Sequence, residues 1–426
     1  MASSSEKTSN AFETINTFKS INILIDNINK KGEKEIKTDR LKVDMSVSDE
    51  GKNQRSEYIT KETGQTPEFL YGNKPFKDFQ SLEGNIENYI GMSMVPTGVI
   101  GPLRVVGSSA NGDYYVPLAT TEGALVASYH RGAKACYLAG GATSICLVEG
   151  VQRSPVFKFN DLTQLGLFIG WVLPQLEQFK KITCENSRFA KLMDMRANIE
   201  GNHLILIFEY HTGDASGQNM VTICTEAICQ YILQNAPVKP LLWFIESNYS
   251  GDKKATALSF TNVRGKKVTS EIVLSEDLIK GVLKTTAELM AEYWRSSSIG
   301  IVQSGAIGIQ GHYANGLTAL FIATGQDVAC ISEAATGITR MEANKDGSLY
   351  ACVTLPNLIV GTVGGGTGLP TQKECLELMD CYGAGNSRKF AEICGALVLA
   401  GELSIAAALS AGHFTAAHKK LGRKNV

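Results

Sequence analysis

The sequence carries none of the short signatures that assign a function at sight. No G-x-x-x-x-G-K-[ST] occurs, and the stretch GTVGGGTG at 361–368 lacks the G-x-G-x-x-G spacing of a strand-to-helix dinucleotide turn. A Rossmann nucleotide site is therefore not expected. The six histidines include no H-E-x-x-H, and His413 and His418, five apart, point to different faces of a helix, so no catalytic metal is expected. There is no G-x-S-x-G elbow and no catalytic cysteine context to support an acyl-enzyme. Ten cysteines contain no CxxC pair, and no secretory leader precedes them, which fits free thiols in a reducing cytoplasm. Charge of one sign is also lacking: 41 Lys and Arg stand against 42 Asp and Glu, so no global field favours nucleic acid or an acidic membrane. Any cationic site must be local.

What is present is length and patterning. A chain of 426 residues can build two or three domains with real cores. Residues 1–57 are polar apart from Phe12, Ile15, Phe18, Ile21, Leu24, Ile25 and Ile28, whose helical spacing suggests a packing or oligomerising helix, with a membrane-surface helix as the alternative. Residues 58–154 are rich in Gly and Pro and lead through short strands into a helix. From 155 to 245 strands alternate with helices (PVFKF, DLTQLGLFIGWVLPQLEQF, HLILIFEYHTG, NMVTICTEAICQYIL, LLWFIES), the mark of a compact inserted α/β unit. A helix is expected at 276–294 and a helical C-terminus after it. The apolar run FAEICGALVLAGELSIAAALSAGHF is interrupted by Glu392 and Glu402 and reads as a buried helix, so the chain is expected to be soluble.

Four short texts each set an ionisable residue among small neighbours: Glu122 in ATTEG, Lys253 in SGDKKA, Asp327 in GQD and His418 in AAHKKLGR. Apolar side chains follow Glu122 in ATTEGALVAS, so that segment reads as a helix capped by Thr120 or Thr121 and buried on most sides, where a carboxylate is costly. Each residue alone has a plain reading as a cap, a solvated lysine or a surface histidine. Together they supply what carbonyl reduction needs: a cation for the oxyanion, acids for the alkoxide and the leaving thiolate, and a carboxylate tuning the cation.

These texts, with ENYIG, TGDASGQNM, TLPNLIVGTVGGGTGL and AGELSIAAALSAGH, resemble in their order the catalytic domain of 3-hydroxy-3-methylglutaryl-CoA reductases. The long interval from Lys253 to Asp327 resembles the eukaryotic-type class of that family. The resemblance implies an α+β fold, a large domain built around a buried central helix (58–154 and 246–426) with a small ferredoxin-like cofactor domain inserted at 155–245. It implies reduction of hydroxymethylglutaryl-CoA to mevalonate and CoA with two NADPH. Glu122, Lys253, Asp327 and His418 correspond to the catalytic four, with Lys253 against the oxyanion, His418 protonating the CoA thiolate, and a buried, protonated Glu122 serving the second reduction. Arg153, Asn248, Asp252, Lys254, Arg295, His312 and Asn315 correspond to substrate-binding positions, and His130, Arg131 and Lys134 to positions that meet CoA phosphates. Asp214, Ser216, Gly217, Gln218 and Asn219, with Ser187 and Arg188 for a 2′-phosphate, are the implied NADPH contacts. A homodimer or homotetramer with shared active sites is implied as well, in the cytoplasm, without an integral membrane anchor.

The chain also departs from the family. Ser216 and Gln218 stand where methionines are usual, and Arg295 where a lysine is usual. Cys330 and Ile331 replace a Gln-Asn pair after GQD, and the usual Asn before Arg423 is missing. Lys424 occupies the place of a regulatory serine. The altered cofactor motif leaves two other readings open: a diverged binder of CoA esters with little turnover, or NAD-dependent oxidation of mevalonate.

Overall fold

The computed structural model describes residues 4–37, 40–41 and 47–412, with side chains from residue 17 onward. Helix α1 (Ser4–Asn29) follows the apolar repeat, yet Phe18 and Ile25 stay exposed while Ile21 and Leu24 are half-buried. Helix α2 (Asp49–Thr63) was not anticipated, and the boundary expected at 57 falls inside it. Its signals are local: the Ser48 hydroxyl accepts from Gly51 N at 3.2 Å, and Gly64 ends it in the left-handed region.

The rest of the chain runs β1 (Thr97–Gly107), β2 (Asn111–Ala119), α3 (Leu125–Leu138), β3 (Ala142–Arg153), β4 (Val156–Lys158), α4 (Leu162–Val172), α5 (Leu176–Asn186), β5 (Lys191–Glu200), β6 (His203–His211), α6 (Gln218–Asn235) and β7 (Leu242–Phe244). There follow β8 (Gly265–Leu274), α7 (Glu276–Leu278), α8 (Ala287–Ser304), α9 (Tyr313–Thr324), α10 (Ile331–Ala334), β9 (Ile338–Ala343), β10 (Leu349–Leu358), α11 (Pro370–Leu378) and α12 (Ser387–Ser410). The single helix expected at 276–294 is broken. A π-turn at Ile279–Leu283 ends on Lys284 at φ 62°, and Thr286 caps a new start for α8.

One ten-stranded sheet runs β7-β4-β6-β3-β8-β10-β9, with β1 paired to β2 and β3, and β5 on β6. Strand β3 joins its two halves, because Thr143–Gly150 pair with β8 while Val151–Arg153 pair with β6. Two apolar cores result. The larger packs α3, α9 and α12 against the β1–β2–β3–β8–β10 half. The smaller gathers Phe157, Phe168, Phe179, Phe208 and Ile228 beneath α4, α5 and α6.

Helix α12 is long and apolar enough to cross a membrane, with mean hydropathy 1.9, but 83% of that stretch is buried inside the protein. It lies against α3 so closely that a Cβ on Gly132 would meet the Ala400 carbonyl oxygen at 1.8 Å. Helix propensity alone would make Gly132→Ala stabilising by about 1 kcal/mol. Contact with rigid backbone reverses the sign, since overpacking of a core costs roughly 1–3 kcal/mol and no rotamer can relieve this one. Gly166, exposed on α4 with nothing within 4 Å of its Cβ position, lacks that obstacle. Gly132→Ala should therefore lower the urea midpoint and Gly166→Ala raise it. Equal shifts of the two would show that α3 and α12 are not in backbone contact.

Candidate active site

Lys253 lies in the loop between β7 and β8, where three residues within six take left-handed backbone: Asn248 (φ 66°), Gly251 (φ 72°) and Lys253 (φ 57°). For a lysine this conformation costs of order 1–2 kcal/mol, so something must hold it. Its N–H donates to Glu333 Oε1 at 3.1 Å, and its Nζ reaches Asp327 Oδ2 at 3.0 Å. Asp327 is fixed in turn, accepting from Ala329 N at 3.0 Å just past the left-handed Gly325 that ends α9. The neighbouring Gln326 is buried and locks both polar groups of Gly361, at 2.8 and 3.0 Å. The hydrogen bond that Lys253 donates to Asp327, together with that carboxylate's negative charge, outweighs desolvation and holds the Lys253 ammonium above its usual range. The pair is half-exposed, at 47% and 41%.

Beneath it runs a buried ionic network that sequence reasoning missed. Arg264 donates to Asp252 (2.5 Å), to Glu333 (3.3 Å), to Gln218 Oε1 (2.8 Å) and to the Gln152 carbonyl (3.1 Å). Arg153 meets Glu246 at 3.0 Å and Asp252 at 3.4 Å. Of the expected substrate positions, Arg153 and Asp252 are thus engaged with protein carboxylates, whereas Asn248 and Lys254 are exposed beside them. Burial, the strongest influence on Glu333, pushes its carboxyl above the usual range against the pull of Lys253 N–H and Arg264. A lone glutamate in an apolar text, ISEAAT, was the available signal for Glu333. Arg264 in NVRGKK reads as solvated and gave none.

The reading of Glu122 is corrected. Helix α3 begins at Leu125, after Ala124 at φ 71°, so Glu122 precedes it and is exposed; Thr120 does not cap the helix but accepts from Glu122 N at 3.0 Å. Burial starts three residues later than the apolar text suggested. Glu122 Oε2 accepts from Asn315 Nδ2 at 2.9 Å, and both line a cavity of about 460 Å³ with Ser128, Arg131, Tyr293 and His312. Lys253 and Asp327 are not among the residues that line it. His418 lies outside the described residues.

The expected CoA-facing group also divides. His130 is buried and accepts from Gly101 N at 3.4 Å; burial first, and then the Lys134 cation, push it down to about 4. Arg131 donates to the hydroxyl and carbonyl of Ser404, which leaves Lys134 as the exposed member. Helical geometry turns residues 130 and 131 about 100° apart, and the neutral, apolar-facing histidine follows. Arg295 is exposed on α8 and pairs with Glu292 at 2.5 Å.

At the implied nucleotide segment, Gly217 (φ 79°) precedes α6 without any side-chain cap, so first-turn N–H groups are left open. Asn219 is exposed there, and Gln218 has a buried Nε2 with no partner among the described residues. Ser216 backs onto Gly361, where a Cβ would meet its amide nitrogen at 2.7 Å. Asp214, expected to meet cofactor, instead accepts from Gly385 N at 2.8 Å and Ser387 N at 3.1 Å at the start of α12. Burial would raise its carboxyl, but these bonds outweigh it and hold it low. Ser187 accepts from Phe189 N and Ala190 N, and the exposed Arg188 guanidinium lies 5.8 Å from the Phe189 ring.

A family model for hydroxymethylglutaryl-coenzyme A reductase matches residues 51–423. The 3-hydroxy-3-methylglutaryl-coenzyme A reductase of Pyrococcus abyssi is 43% identical over 346 residues, 80% of this chain and 85% of that one. The enzyme of the same name from Methanocaldococcus jannaschii is 42% identical over 375 residues, covering 87% and 92%. In fold, the chain is similar to the class II 3-hydroxy-3-methylglutaryl-CoA reductase of Streptococcus pneumoniae solved with NADPH in open conformations, with TM-score 0.68, 19% identity, and 89% and 99% coverage. These likenesses are to archaeal enzymes and to a class II structure, and leave the eukaryotic-type class expected from the Lys253–Asp327 interval without confirmation. A match across nearly the whole chain, with more than 40% identity to relatives covered over most of their length, means that this chain belongs to the hydroxymethylglutaryl-coenzyme A reductase family.

Proposed function

We propose that the chain reduces hydroxymethylglutaryl-CoA to mevalonate and free CoA in two successive hydride transfers, consuming two NADPH. The observation that carries this reading is the Lys253–Asp327 pair at 3.0 Å on a strained, firmly held loop. An ammonium held charged suits an oxygen that becomes negative twice, first at the thioester and then at the aldehyde. Asp327 keeps that ammonium protonated. Glu122, steadied by Asn315, is the acid for the alkoxide, and His418 is the acid for the departing thiolate, a role that rests on the resemblance. Asn248, Lys254 and Arg295 are free enough in the structure to meet the acyl group, and Lys134 to meet a CoA phosphate, whereas Arg153 would have to leave Glu246. The long interval from Lys253 to Asp327 supports placement with the eukaryotic-type class. All ten cysteines are free thiols, which suits a cytoplasmic enzyme.

The nucleotide segment fits a dinucleotide phosphate. Uncapped N–H groups at α6, the Gln218 Nε2 unpartnered among the described residues and the exposed Arg188 all offer donors. NADPH supplies the hydride when bound. Arg188 and Ser187 hold its 2′-phosphate on this reading, Asn219 and Gly217 its polar face, and Asp214 acts at one remove by fixing the segment to α12.

Two copies complete the site. The Lys253 loop of one chain meets the Glu122 cavity of another, whose lining within one chain does not include Lys253 or Asp327. Exposed apolar side chains support such an interface, with Ile90, Met92 and Met94 in one loop and Leu289, Ile299 and Val302 along α8.

Purified protein with hydroxymethylglutaryl-CoA should oxidise two NADPH for each free thiol released. Activity only with mevalonate and NAD, or silence in both directions, would overturn the proposal. Glu122→Gln and Lys253→Met should each be inactive alone, yet recover about a quarter of parental activity when mixed, because half of randomly paired dimers carry one intact site of two. Proven subunit exchange without recovery would end the shared site. Arg188→Ala should raise KM for NADPH roughly 10–100-fold, the worth of one or two charge-assisted bonds, and leave KM for NADH nearly unchanged. Equal losses for both cofactors would remove the 2′-phosphate from that position.

A further inference from the structure

Glu402 lies in the middle of α12 with 3% of its surface exposed. Its two oxygens accept four hydrogen bonds: Oε2 from Gly311 N (2.8 Å) and Thr339 Oγ1 (2.7 Å), Oε1 from His312 N (2.8 Å) and His312 Nδ1 (3.3 Å). Burial, the largest single influence, would raise its carboxyl, but the hydrogen bonds from His312 and then Thr339 outweigh it and hold it below the usual range. An ionised carboxylate accepts and cannot donate, so Nδ1 must carry the ring proton. The ring is held on other sides too. Tyr129 stacks on it with centroids 5.1 Å apart and planes 22° apart, while the Tyr129 hydroxyl donates to the His312 carbonyl at 3.1 Å. That leaves Nε2, which is buried and has no partner among the described residues, on a residue that lines the cavity shared with Glu122 and Asn315. A fixed imidazole with one unfilled position in a cavity wall is the arrangement by which a carboxylate orients a functional histidine.

We infer that Glu402 is a positioning residue acting through His312: it keeps the proton on Nδ1 and leaves Nε2 as a bare acceptor for a hydrogen-bond donor, hydroxyl or amide N–H, of the bound acyl-CoA. The inference rests on the cavity being the substrate site proposed above. Glu402→Gln is the direct probe, because an amide keeps the acceptor role of one carboxylate oxygen only and loses its hold on the ring.

The tautomer is read in ¹⁵N-histidine-labelled protein by long-range proton–nitrogen correlation, with the His312 signal identified by its loss in His312→Gln. The unsubstituted protein should show the Nδ1–H ring, and Glu402→Gln should shift it toward Nε2–H. KM for hydroxymethylglutaryl-CoA should rise about tenfold while KM for NADPH stays put, and in the His312→Gln background Glu402→Gln should add nothing further. An Nε2–H ring in the unsubstituted protein overturns the proposal, as does an undiminished effect of Glu402→Gln without His312. Should Glu402→Gln fail to fold, the tautomer of the unsubstituted protein still decides. A parent protein that does not reduce hydroxymethylglutaryl-CoA refutes the proposed function, and the ring tautomer then stands as a separate result.

Discussion

Helix α12 is the constraint on which the remaining structure depends, because it is buried along nearly its whole length and still carries two carboxylates. A buried, unpaired carboxylate would cost several kcal/mol, so each must bring enough donors to it. Glu392 gathers Ser108 Oγ, Ser109 N, Ala110 N and Cys146 N, which ties the turn between β1 and β2 to the helix. Glu402 gathers the start of α9 and Thr339 of β9. Asp214 caps the helix start and ties it to the turn before α6. One helix thereby sets the spacing of the segment before α6 and the cavity wall.

The two glutamates answer pH in opposite senses. Burial dominates at Glu392 and raises its carboxyl, so the folded chain binds that proton more tightly than the unfolded one. Its contribution is full below the ordinary glutamate range and is lost as pH rises through the raised value. Glu402 is lowered, so its contribution is present above the ordinary range and is lost as pH falls through the lowered value. The difference lies in the partners. Glu392 accepts from one hydroxyl and three backbone amides, whereas Glu402 also accepts from the His312 ring.

Much of the architecture was legible because it is written in periodicity. The alternation from 155 to 245 gave β4, β6 and α6 but ran α4 and α5 together as one helix, which the turn Leu173–Gln175 around Pro174 divides, and the run containing Glu392 and Glu402 gave a core helix. Strand β5 escaped because it pairs only with β6 and its inward positions, Leu192 and Met195, break the two-residue period at a register shift. Glu122 was misread since apolar neighbours report burial of a segment but not where it begins, and the positive φ of Ala124 leaves no mark in an alanine. Lys253 and Asp327 are 74 positions apart, and only resemblance could pair them. Arg264 was invisible for a different reason: an arginine in a loop looks the same whether water or three protein side chains receive it.

The half-exposed state of the Lys253–Asp327 pair matters for the chemistry. Two unit charges about 4 Å apart attract by ~1 kcal/mol in bulk water and ~4 kcal/mol near a protein surface, and an exposed pair contributes about 0–1 kcal/mol to stability. A cation in that setting stabilises a nascent oxyanion weakly. On the proposed two-copy site, apolar side chains of the second copy covering this pair would remove water from around it, and the same ammonium would then act on the oxygen with several times the force. The strain at Lys253 and the ionic network beneath it follow from the same requirement: the loop must hold its geometry before the cover arrives, because a site that had to order itself on closure would spend the gained attraction on its own backbone. On the proposed two-copy site, a rigid loop in each chain would let closure change the dielectric and leave the positions alone.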